Sequence, residues 1–177
     1  MFTDSVVVMF QKVQALALES QELALASLDY SRPFVSGMGF VFKKEEGEFG
    51  RFSVILSDFS QHGKNIARNS EVSLLLMEQK SIPTHEKQKV TFICTTNLLD
   101  EAKDAKWLQR YKDAYLQKYP TSKDLFQLPD VHFYEFIPFE IRWVIGNGKY
   151  QVFVLRSRRW MQRTDVNETQ ANREAGM

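Results

Sequence analysis

The residues of this sequence best suited to chemistry stand close together, between Ser57 and Asn65. The stretch Ser57-Asp58-Phe59-Ser60-Gln61-His62-Gly63-Lys64-Asn65-Ile66 gathers hydroxyls, an imidazole, an ammonium and an amide. It breaks a strand pattern, offers Ser57, Asp58 and Ser60 as caps, and leads into a short helix ending near Asn69. The start of a helix presents unsatisfied backbone N–H groups and the positive end of the helix dipole. Hydroxyls and a cation placed there suit a phosphate. An ordinary capping turn has the same composition. The sequence holds no glycine-rich phosphate loop, nucleophile elbow or metal-spaced Cys/His set.

Other candidates read more simply. His85, between Thr84 and Glu86 in a polar loop, is a solvated histidine. His132 opens a strand and reads as a surface or seam histidine. Asp100, Glu101 and Asp104 are first-turn acids of a helix. Arg156-Ser157-Arg158-Arg159-Trp160 is basic with one aromatic, which fits a solvated strand end or a contact with phosphate from a second subunit. The one cysteine, Cys94, falls inside a strand and can supply neither a disulfide nor a metal set. A lone buried thiol suits a reducing compartment.

The elements that must position these residues follow from periodicity. Val6, Met9, Phe10, Val13 and Leu16 recur at helical spacing and predict a first helix over Ser5 to Leu18. Strands are expected at Glu22–Leu28, Phe34–Phe42, Arg51–Leu56, Val72–Met77, Lys89–Thr96, His132–Phe139, Ile141–Ile145 and Lys149–Leu155. Gly37 and Gly39 inside the second strand mark a bulge or a close approach to the backbone. Asp29 to Pro33, Lys43 to Gly50 and Gly146-Asn147-Gly148 are turns, and Glu78 to Lys87 is a loop. The longest helix starts at Asn97 or Asp100 and runs to Tyr119, with Leu108, Tyr111, Tyr115 and Tyr119 as its apolar stripe and Pro120 ending it. Strands in runs exclude a doubly wound parallel sheet. They predict a mainly β, antiparallel split barrel with peripheral helices, one domain over residues 1–155 followed by a polar tail over 156–177. That tail is expected to be loose, or ordered only against a partner.

Composition narrows the function classes. The 23 basic and 22 acidic residues leave a net charge of +1, against the basic excess of a general nucleic-acid binder. No run reaches the roughly 18 apolar residues of a membrane span. Asp4, Gln11 and Lys12 interrupt anything like a secretory signal, so the expected location is cytoplasmic. With 14 Phe and 6 Tyr, one small barrel would leave aromatic strand faces uncovered, which predicts a homodimer.

The run Phe52 to Ile66, with Asn69 and then Val72-Ser73-Leu74-Leu75-Leu76, resembles the flavin-binding motif of the pyridoxamine 5′-phosphate oxidase-like superfamily. Within it, the Ser-x-Leu-x-x-His-x-x-Asn-Leu pattern of the haem-utilisation subfamily is the nearest likeness. Pro33-Phe34-Val35-Ser36 is similar to the preceding family strand. Arg110-Tyr111 and Tyr119-Pro120 resemble the end of the family's long helix. The resemblance implies a homodimeric split barrel with flavin mononucleotide (FMN), or a related ligand, between subunits. Carried over by position, Ser36, Ser57, His62, Lys64 and Asn65 would line the phosphate end, and Gly37 and Met38 would sit beside the isoalloxazine; Ser60, in the same turn, is a further cofactor-binding candidate.

The departures from the family pattern carry their own implications. Ser36 stands where the B6 oxidases carry Arg, and Gln61-His62 where they carry Arg-Lys. Their C-terminal Arg-x-x-x-Arg-Leu signature is missing, which points away from vitamin B6 oxidation. The haem-degrading relatives carry a histidine near the C-terminus. Here the histidines stand at 62, 85 and 132, leaving His132 as the haem-ligand candidate. The expectations are therefore a flavin-dependent oxidoreductase or flavin-binding protein, a haem-handling protein on the same barrel, or a non-catalytic dimeric module.

Overall fold

The computed structural model describes residues 3–45, 48–147, 149–156 and 159–163. Its elements, in chain order, are α1 (Asp4–Glu19), β1 (Glu22–Asp29), β2 (Arg32–Gly39), β3 (Val41–Lys43), β4 (Arg51–Ser57), α2 (Gln61–Arg68), β5 (Glu71–Met77) and β6 (Lys89–Leu98). They continue with α3 (Ala105–Lys118), a 3₁₀ segment (Pro120–Gln127), β7 (Val131–Gly146), β8 (Lys149–Arg156) and β9 (Arg159–Arg163). All strand pairs are antiparallel, in the order β2-β1-β5-β6-β7-β4-β3, with β8 on β7 and β9 on β8. This is the split barrel with peripheral helices.

The split has a local cause in β7. Its first half pairs with β4 as far as Phe136, and its second half pairs with β8 from Glu140 onward. Between them the register to β6 shifts, at Ile93/Cys94, and Pro138 sits at that irregularity. Proline lacks an N–H, and a bulge where one neighbour strand hands over to the next does not need it. The two strands expected at His132–Phe139 and Ile141–Ile145 are thus one bent strand.

The inward residues are aromatic. Phe40, Phe42, Phe49, Phe52 and Phe92 pack with ring centroids 4.8–5.7 Å apart. Val6, Met9, Val13 and Ala17 of α1 close over them. A smaller cluster of Val41, Leu108, Tyr111, Tyr115 and Phe133 seats α3 on the outside. Behind it, buried Glu135 accepts hydrogen bonds from Arg51 (2.9 Å) and Tyr111 (2.9 Å).

Three further expectations change. The strand expected over Phe34–Phe42 breaks at Phe40, whose N–H donates to the Tyr119 hydroxyl at 3.0 Å and whose carbonyl accepts from Lys118 Nζ at 2.9 Å. The end of α3 takes the backbone groups a continuous strand would use. Helix α3 begins at Ala105, because Asp100 spends its carboxylate on the N–H groups of Ala102 and Lys103 in a preceding turn. Residues 159–163, assigned to the polar tail, form β9, and Trp160 is buried against Phe10 and Phe49. Gly148, Ser157, Arg158 and residues 164–177 lie outside the described residues, as do the parts of the turn and tail readings that fall on them.

Candidate functional site

The turn after β4 is built by short side chains. Ser60 caps α2: its hydroxyl accepts from Gly63 N at 3.0 Å and donates to the Ser57 carbonyl at 2.7 Å. Ser57 donates its hydroxyl to Asp130 at 2.5 Å and accepts from Phe59 N. The first turn of α2 lies directly on the end of β4. A Cβ at Gly63 would stand 2.3 Å from the Ser57 carbonyl oxygen, so only glycine fits. The sequence reading put the Ser57 and Ser60 hydroxyls at the phosphate. In the structure both hydroxyl hydrogens are spent inside the chain, holding the turn.

His62 and Asn65, one turn apart on the same face of α2, point into the protein and are 4% and 0% exposed. Both converge on Ser27 of β1. Asn65 Nδ2 donates to Ser27 Oγ at 2.9 Å, and His62 Nδ1 lies 2.9 Å from the same oxygen. The other ring nitrogen, Nε2, lies 2.8 Å from Ser36 Oγ on β2. Gln61 Nε2 donates to Asn65 Oδ1 at 2.9 Å, and the Phe34 ring meets the imidazole edge-on. Burial holds the His62 pKa below the ordinary histidine value of 6.5, so the ring is neutral at pH 7. It is a buried link between strands, with both nitrogens occupied.

Of the residues expected at the site, Ser36, His62 and Asn65 form this one network. Ser36 and Gly37 are exposed on β2, the edge strand of the sheet, and Lys64 is exposed on α2. Strand alternation sends Ser36 and Met38 to the α2 face and Gly37 to the other. Met38 packs on the core. A ligand touching both Ser36 and Gly37 must therefore lap the free edge of β2. His132 belongs to a separate contact, with Nε2 3.0 Å from Asp58 Oδ2. Sequence reasoning missed Ser27, Gln61 and Asp130. The available signal was Ser27 itself, a hydroxyl on the inward face of the Leu23, Leu25, Ser27 alternation.

On the face opposite α2, a groove of about 270 Å³ runs past Ala26, Leu28, Pro33, Ser73 and Ile93. Val35 (63% exposed) and Leu75 (40%) extend its apolar character. Among the described residues, no group of three or more His, Cys, Asp or Glu side chains could hold a metal ion, and no helix is long and apolar enough to cross a membrane.

Compared with protein families, residues 9–145 match pyridoxamine 5′-phosphate oxidase. The chain belongs to that family. The match runs from α1 to the end of β7 and contains the whole Ser27–Ser36–His62–Asn65 network. No curated protein matches the sequence. Among solved structures, this pyridoxamine 5′-phosphate oxidase family chain shares its fold with a haem-binding protein from Mycobacterium smegmatis. The two are 20% identical with a TM-score of 0.69, over 82% of this chain and 57% of that one. It also resembles HutZ, the haem storage protein from Vibrio cholerae (22% identity, TM-score 0.61, 72% of this chain and 88% of that one). A FAD-binding protein from Mesorhizobium loti is similar at 12% identity and TM-score 0.57, over 74% of this chain and 90% of that one.

Proposed function

We propose that this chain is a flavin-binding, oxidoreductase-like protein. It holds the phosphate of FMN at the Ser36 hydroxyl, in the seam between two copies. The observation that carries this reading is Ser36 itself, an exposed hydroxyl on a free strand edge, fixed from behind by a buried network. The backbone beside it fits a flat ring: a Cβ at Gly37 would meet nothing closer than the Leu23 carbonyl, at 4.0 Å. The exposed Lys64 ammonium adds positive charge on α2. Ser57, Ser60 and Asp130 hold the turn that seats His62. When bound, the flavin would supply the redox chemistry, and these residues would bind and orient it. The apolar outer face of β1, β2 and β5 supports a second copy as its cover.

Purified protein incubated with FMN should keep flavin absorbance after desalting, and riboflavin should wash out. Loss of both would remove the reading.

A second reading, haem binding, has its own observation. The Asp58 carboxylate holds His132 by Nε2, an arrangement that orients an imidazole for coordination through Nδ1. Two proteins of the same fold are named for haem. Haemin titration should then give a Soret shift that His132→Ala abolishes and His62→Ala leaves in place. No shift, or a shift indifferent to His132, would exclude ligation there.

A further inference from the structure

The hydrogen bonds around His62 have one consistent direction. Gln61 donates to Asn65 Oδ1 and Asn65 Nδ2 donates to Ser27 Oγ, both at 2.9 Å. A carboxamide nitrogen only donates, so with the two amides oriented as they stand both bonds run in one sense. Ser27 is buried, and its own hydrogen needs an acceptor; His62 Nδ1 stands 2.9 Å away. A neutral imidazole that accepts at Nδ1 carries its proton on Nε2 and donates it to Ser36 Oγ, 2.8 Å away. Ser36 is thereby an acceptor on its inner side, and its own hydrogen is turned outward, at the exposed edge of β2. The groups that meet the ring are Ser27 from β1 and Phe34 and Ser36 from β2, none of them charged.

We infer that Ser27 and Asn65 act through His62 as positioning residues. They fix Ser36 as an outward hydrogen-bond donor, so that the site favours ligands presenting an anionic oxygen. The choice of FMN as the natural ligand rests on the flavin reading above. The relay does not. A hydroxyl whose hydrogen is turned outward in advance needs no reorientation to meet an anionic acceptor, and the charge on that acceptor strengthens the bond.

The relay makes a prediction that needs no ligand. Long-range ¹H–¹⁵N spectra of the full chain at neutral pH should show His62, assigned by loss of its signals in His62→Gln, as the neutral Nε2–H tautomer. Asn65→Asp reverses the chain of donors. A carboxylate at 65 accepts from Ser27, the ring proton moves to Nδ1, and the Ser36 hydrogen turns inward. FMN should then bind about tenfold more weakly, with riboflavin, which lacks the phosphate, unchanged. An Nδ1–H tautomer or an imidazolium in the wild type overturns the relay. So does an unchanged FMN-to-riboflavin ratio in both Asn65→Asp and Ser27→Ala. A wild type that binds inorganic phosphate (by ³¹P line broadening) but not FMN overturns only the flavin reading. One that binds neither overturns the selectivity.

Discussion

At the scale of single residues, the site depends on close fits that admit few substitutions. Gly63 is required because α2 starts against the Ser57 carbonyl, with 2.3 Å available for a Cβ. Gly63→Ala should cost about 1–3 kcal/mol through forced backbone shifts, seen as a lower urea midpoint. An unchanged midpoint would show that the turn has slack. His62 gives a pH dependence whose sign is set by burial. Its folded pKa lies below the ordinary 6.5, so below that pH the unfolded chain takes up a proton that the folded chain resists. Stability is therefore complete above about 6.5 and is lost as pH falls from there towards the folded pKa. Melting temperatures measured from pH 7.5 to 5.5 should fall more steeply in the wild type than in His62→Gln. Parallel slopes would mean that His62 titrates freely.

At the scale of elements, the ends of strands and helices are set by partners remote in sequence. The alternation of β1, β4, β5 and β6 is local and can be read directly. The break at Phe40 cannot, because it depends on Lys118 and Tyr119, 78 and 79 residues away. The same holds for the site. Local spacing placed His62 and Asn65 on a short helix. That they face inward onto Ser27, 35 and 38 residues away, depends on the seating of α2 on β1. Their chemical types suggested direct contact with a phosphate, whereas burial turns them onto Ser27 and, through His62, onto Ser36. Strand β9 escaped notice because five mostly polar residues have little strand signal, and their anchor is one ring. Trp160→Ala should release β9 at a cost of about 3–5 kcal/mol. Hydrogen exchange should then show lost protection confined to β9 and its partner β8. Protection unchanged there would mean that backbone pairing alone holds the strand.

At the scale of the molecule, the barrel buries its aromatic interior in a single copy and leaves apolar residues on the outer face of β1, β2 and β5. The expected surplus was aromatic, but the barrel takes most of its rings inside, and the strand-face residues left out are aliphatic, such as Leu28, Val35 and Leu75. They fall on the face opposite the His62 relay, along the same edge strand that carries Ser36 and Gly37. A second copy covering that face would place its surface beside the edge where a ligand laps over. Light scattering at micromolar concentration should give a dimer, and Val35→Glu with Leu75→Glu should give a monomer of unchanged secondary structure. A wild-type monomer would move the proposed seam elsewhere, or remove it.

A crystal structure of the protein grown with FMN decides whether an anionic ligand is held at the outward hydroxyl of Ser36. A phosphate oxygen should lie within hydrogen-bond distance of Ser36 Oγ, with the isoalloxazine passing the β2 edge at Gly37. FMN bound at another place, with Ser36 facing only water, would contradict it.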